Sequence, residues 1–154
     1  MNAPTTTQQN NLLQKSELQA QVVRALEAHL PSYSLLWNAE DTVPFECDGL
    51  TAYRARPLVV ALPETYEQVQ AVLKTCHAMN VPVVARGAGT GLSGGAMPHT
   101  LGVTLSLARF NQILSVGPVS RTAVVQCGVR NLAISEAAAR LALADPVKHS
   151  TPEA

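Results

Sequence analysis

Apolar positions fall along the chain in stretches of helical and of strand spacing. Leu18, Val22, Leu26 and Leu30, with Val23, share one face at the helical period. Ser16-Glu17-Leu18-Gln19 ahead of them is a capping box, and Pro31 closes the helix. Pro57-Leu58-Val59-Val60-Ala61-Leu62-Pro63 is an unbroken apolar run between prolines, the pattern of a strand buried on both faces. Thr65-Tyr66-Glu67-Gln68 is a second capping box, followed by Val69, Val72, Leu73, Cys76 and Met79 at helical spacing, with Asn80 suited to a left-handed end. Val81 to Ala85 is a further strand, so strand, helix and strand predict a βαβ unit. Val103, Leu105 and Leu107 alternate with Thr104 and Ser106, which predicts a half-buried strand. Ala108 to Gln112 has the look of a short helical turn. Ile113–Val116 and Thr122–Cys127 pair as a hairpin through Gly117-Pro118-Val119-Ser120, and Asn131 caps an Ala-rich helix from Leu132 to about Leu141. The expected class is α+β (α/β). Residues 1–15 are expected to be a disordered tail, 16–56 a helix and an irregular connector, and 57–141 the α/β domain.

Between Ala85 and Val103 the pattern breaks into Arg86-Gly87-Ala88-Gly89-Thr90-Gly91-Leu92-Ser93-Gly94-Gly95. Glycine reaches positive φ at little steric cost and lets a backbone approach a ligand closely. Successive N–H groups in such a loop form a concavity for anions. Arg86 adds a positive charge, and Thr90 and Ser93 add hydroxyl donors. The matching guest is a phosphate or diphosphate. Gly89-Thr90-Gly91-Leu92-Ser93-Gly94 satisfies G-x-G-x-x-G, but the dinucleotide fingerprint needs a helix directly after it and an acid about 20 residues on. Gly95 and Pro98 follow the loop, and Arg109-Phe110-Asn111 stands where the acid is required. No Gly-Lys-Ser or Gly-Lys-Thr follows, which removes a Walker loop. The bland alternative is a turn between strands, for which one or two glycines suffice.

Bulk properties narrow the classes. The chain has 154 residues, 47% hydrophobic and 14% charged, which suits one globular domain rather than disorder. Its formal net charge is zero, so a polyanion partner such as nucleic acid is not expected. Cys47, Cys76 and Cys127 are dispersed and odd in number, as in a reduced cytosolic protein rather than a disulfide scaffold or zinc site. The polar start lacks the apolar core of a signal peptide, and no run reaches the roughly 18 apolar residues of a membrane span. Asp41, Glu46 and Asp48 are too loosely spaced for a calcium loop. His29, His77, His99 and His149 read as surface or loop residues, with only His99 close to the glycine-rich stretch.

The run Arg86 to Gly95 resembles the diphosphate loop of the FAD-binding PCMH-type (vanillyl-alcohol oxidase-like) flavoproteins. Within them it is most similar to the flavin subunits of bacterial glycolate oxidase and the related D-lactate dehydrogenases. The resemblance extends from about Leu12 to Arg140. It implies that 57–141 is part of a PCMH-type FAD-binding domain, and that Arg86, Gly87, Ala88, Gly89, Thr90, Gly91, Leu92, Ser93, Gly94 and Gly95 hold FAD. Covalent members often carry His after an Arg-x-Gly-Gly run. Thr90 stands at that position, which implies non-covalent FAD. The implied activity is oxidation of glycolate or D-lactate to the 2-oxo acid by hydride transfer to the flavin. The resemblance also suggests an iron–sulfur partner subunit, a respiratory acceptor, and a cytoplasmic location with peripheral association at the inner membrane. Residues 142–154 depart from the family pattern and are expected to be a divergent tail. The substrate-binding groups have no counterpart, so the chain is expected to be an amino-terminal fragment with no assignable catalytic base. Two alternatives are a non-catalytic remnant with weak or no nucleotide binding and a small NAD- or nucleotide-binding domain.

Overall fold

In the computed structural model, which describes residues 6–141, the first helix, α1, runs Thr6–Glu27 and begins well before Ser16. Gln, Leu and Lys between Gln8 and Lys15 are good helix formers. Once Leu18 to Leu26 has met the cost of nucleation by packing, each preceding residue adds one hydrogen bond. The expected start at Ser16, and the disordered tail over 6–15, are therefore corrected. Ser16 is interior to the helix, so its capping box is not used. Gln19 instead donates from Nε2 to the carbonyls of Trp37 (3.1 Å) and Leu58 (2.7 Å), tying α1 to the chain beneath it.

The connector is more ordered than its mixed polarity predicts. After a 3₁₀ turn at Ser32–Ser34 come β1 (Leu35–Leu36), the single turn α2 (Ala39–Thr42) and a second 3₁₀ turn, Val43–Phe45. β1 pairs antiparallel with β2 (Val59–Ala61), Leu35 opposite Ala61. The next helix, α3 (Tyr66–Ala78), has the expected capping box: Thr65 accepts from the Gln68 N–H, and the Gln68 side chain accepts from the Thr65 N–H. Asn80 takes the left-handed conformation, φ 54°. β3 (Val83–Arg86) begins two residues later than expected, because the Val81 N–H still bonds the Cys76 carbonyl at the helix end.

The sheet order is β1-β2-β4-β3, with β4 at Val103–Ser106. β4 runs parallel to both β2 and β3, so α3 links two strands that are not neighbours. This inner position corrects the half-buried reading: all four residues of β4 are buried, Thr104 and Ser106 included. The core joins Val22 and Leu26 of α1 and Val72 and Cys76 of α3 to Val59 and Leu105. Arg109 closes the edge by donating from Nη1 to Ser34 Oγ (2.7 Å), Leu62 O (3.3 Å) and Glu64 Oε1 (2.6 Å) while lying over the Tyr33 ring.

The chain divides into two compact units after Arg109. The second unit contains the predicted hairpin, β5 (Ile113–Gly117) and β6 (Thr122–Val125), with a register shift between Ile113 and Ser115. Its turn needs a positive φ at Arg121 (53°), which no residue preference signals. The helix α4 spans Asn131–Ala139 with Arg130 at the cap position, where the Arg130 carbonyl accepts from Ala133 and Ile134. The expected cap at Asn131 is thus displaced by one residue.

Burial pushes the Cys76 thiol from 9.0 up to about 11. The unfolded chain therefore loses this proton first. Cys76 then contributes nothing to pH dependence below about 9, and stability is expected to fall as pH rises from 9 to 11, where the folded thiol also ionises. Urea midpoints measured across that window check this, and Cys76→Ala should flatten the decline.

Candidate phosphate-binding site

Arg86 ends β3, where its carbonyl accepts from the Leu107 N–H at 2.8 Å. The chain then runs from Gly87 to Gly102 without a helix or strand before it enters β4. Ligands of open α/β sheets bind beyond such carboxyl ends. No N–H from Gly87 to Ala96 donates a hydrogen bond among the described residues. These groups are a row of available donors, and Thr90 and Ser93 lie exposed among them. Two residues of the loop need glycine for φ, Gly89 at 77° and Gly94 at 75°. The Met97 N–H bonds the Gly94 carbonyl (3.1 Å) and closes the far side.

The floor of the loop comes from the connector. Arg86 is only 9% exposed, and its side chain turns inward. Nη1 donates to the carbonyls of Cys47 (2.5 Å) and Phe45 (3.5 Å), and Nη2 donates to Pro44 O (3.4 Å). The guanidinium lies 5.4 Å from the centroid of the Phe45 ring, within cation–π range. A Cβ on Gly89 would overlap this guanidinium. A Cβ on Gly49 would come within 2.7 Å of Thr90 O and 3.0 Å of Gly91 O. Asp48, 3% exposed, accepts the Leu50 N–H on Oδ1 (2.9 Å), and its Oδ2 has no partner among the described residues.

Arg86 to Gly95 are thus contiguous in space as well as in sequence, but their places differ. The backbone from Gly87 to Gly95 is the open surface, while the Arg86 side chain lies below it as a brace. An open charge beside the ligand, which the sequence alone suggests, is not what this guanidinium offers. Sequence reasoning missed Phe45, Asp48 and Gly49. The Asp48-Gly49 pair is a turn signal, but nothing local says that this turn lies under a loop near residue 90. Two other connector acids are engaged: Glu46 pairs with Arg54 and Arg56, and Asp41 with Asn38. Among the described residues no group of three His, Cys, Asp or Glu side chains could hold a metal. His99 accepts the Leu101 N–H on Nδ1 in an exposed turn, and His149 lies outside the described residues. Neutral donors on a glycine backbone suit a diphosphate, whose oxygens are all acceptors.

Residues 57–154 match the family model described as FAD binding domain. Glycolate oxidase subunit GlcD of Escherichia coli (strain K12) is 58% identical over 118 residues, covering 77% of this chain and 24% of that protein. D-lactate dehydrogenase of Archaeoglobus fulgidus is 39% identical over 102 residues, covering 66% of this chain and 23% of that protein. Among solved structures, p-cresol methylhydroxylase with substrate bound is similar at a TM-score of 0.71 and 26% identity, over 82% of this chain and 25% of that one. The chain spans about a quarter of the length of the curated relatives it matches. No described helix is long and apolar enough to cross a membrane.

Gly91 separates folding from binding. A Cβ there meets nothing within 4 Å, and its φ is not in the left-handed region. Gly91→Ala is expected to leave the unfolding free energy within about 0.5 kcal/mol of native, yet to weaken FAD if the open side of the loop is the site, because the methyl would enter that space. Gly89→Val is expected to lower both. A titration of flavin fluorescence beside a denaturation curve checks the two; native FAD affinity in Gly91→Ala removes this loop face from the site.

Proposed function

This chain belongs to the FAD binding domain family, and on that premise we propose that it is the diphosphate-holding part of an FAD-dependent 2-hydroxy-acid oxidoreductase acting on glycolate or D-lactate. FAD is the cofactor of the family. The reading that this loop holds it is carried by one observation: the row of undonated N–H groups from Gly87 to Ala96 at the carboxyl end of β3. The substrate class is supported by the identity to the glycolate oxidase subunit and to D-lactate dehydrogenase.

When bound, FAD supplies the two-electron acceptor chemistry that converts a 2-hydroxy acid to a 2-oxo acid. The chain's part is to bind and orient. Gly87 to Gly95 offer N–H groups and the hydroxyls of Thr90 and Ser93 to the diphosphate, and Gly89 and Gly94 set the curvature of the loop. Thr90 lacks the imidazole that a His would offer for attachment, so the reading is of a non-covalently held flavin. An iron–sulfur partner subunit and a cytoplasmic setting at the inner membrane complete the proposal. The three unpaired cysteines are in keeping with that setting.

The test is retention. The purified chain, loaded with FAD and passed through gel filtration, is expected to emerge yellow and to lose its colour when excess ADP competes for the diphosphate site. A colourless chain with no flavin-fluorescence change on titration would overturn the reading and favour a non-catalytic remnant.

A further inference from the structure

We propose that the segment Pro44–Leu50, which precedes the family-model residues 57–154, is a working part of the phosphate site, with Arg86 as the positioning residue that couples it to the loop. This rests on the FAD reading above. Arg86 acts through Gly89 and does not itself pair with the diphosphate.

Three observations lead there. The guanidinium is committed to the carbonyls of Pro44, Phe45 and Cys47 and to the Phe45 ring. Swinging it out to a ligand would give up hydrogen bonds to three part-buried carbonyls and the contact with the Phe45 ring. Residues 89 to 91 then rest on two surfaces in succession, Gly89 on the guanidinium and the carbonyls of Thr90 and Gly91 against Gly49. Their peptides are trans, so the N–H groups of Gly91 and Leu92 lie opposite those carbonyls, away from the floor and toward the open side. Asp48 is the third element. Its Oδ1 fixes the turn that presents Gly49, and it follows directly on the Cys47 carbonyl that Arg86 grips.

A charge role and a positioning role differ in what they predict. A lysine keeps the charge but cannot reproduce a planar fork that reaches three carbonyls. Arg86→Ala and Arg86→Lys are therefore both expected to weaken FAD binding by about tenfold or more, with the dependence of affinity on salt unchanged from native. Gly89→Ala should cost less affinity in an Arg86→Ala background than alone, because the guanidinium it collides with is gone. Gly49→Ala, which leaves Arg86 intact, should also weaken FAD. Flavin-fluorescence titrations at low and high salt read the native chain and all five variants, including the double variant. Rescue by lysine, a shallower salt dependence in Arg86→Ala, an additive cycle, or native affinity in Gly49→Ala each overturns the proposal while FAD binding by the native chain stands. A native chain that binds no FAD overturns the reading beneath it, and this inference with it.

Discussion

The rest of the first unit depends on β3 and β4 lying side by side in the same direction. Parallel neighbours cannot be joined by a tight turn. The chain leaving Arg86 must travel back along the strand, about 13 Å at roughly 3.3 Å per residue, before it can enter at Val103. The usual solution is a helix, whose backbone groups bond one another. Here the return path from Gly87 to Gly102 has neither helix nor strand. Among the described residues its N–H groups stay unpaired until Met97, and such groups suit a diphosphate. The same requirement that builds the sheet therefore leaves the donors open.

A loop with so many unpaired groups needs support from elsewhere, and the support comes from residues 44–50. Arg86 belongs to both parts: its backbone finishes the ladder opposite Ser106, and its side chain holds three carbonyls of the connector. The strand end, the connector and the loop are thus fixed to one residue. Gly89 and Gly49 are the two places where only the absence of a Cβ allows that packing. Arg109 has a comparable place at the same sheet, where it joins Ser34, Leu62 and Glu64. Its bonds hold β1 and β2 in place. They form no site.

The family assignment and the geometry meet at the loop. Identity to the glycolate oxidase subunit covers 77% of this chain and 24% of that protein, so it bears on the flavin-binding part far more directly than on the oxidation of a hydroxy acid. The match to the family begins at residue 57, whereas the carbonyls that take Arg86 lie before it. A description confined to residues 57–154 would leave the guanidinium without its partners.

The sequence by itself determined the elements whose signals are local. The prolines flanking residues 58–62, the capping box at Thr65 and Gln68, the left-handed Asn80 and the hairpin around residue 119 were all legible, because each depends on residues a few positions apart. The glycine spacing from 87 to 95 likewise marked an irregular loop, since backbone freedom is written directly in residue type. Only the tertiary structure decided what lies far apart in sequence. The alternation of Val103 to Leu107 states one apolar face, yet every residue of β4 is buried, in a strand that β2 and β3 flank on its two edges. Ser16 looked like a helix start until α1 packed over the sheet and made the earlier turns worth extending. Arg86 looked like a ligand for phosphate because its charge is visible in the sequence. The carbonyls that claim it are visible only in space, since every residue has a carbonyl and only the fold brings those of 44, 45 and 47 within reach of residue 86.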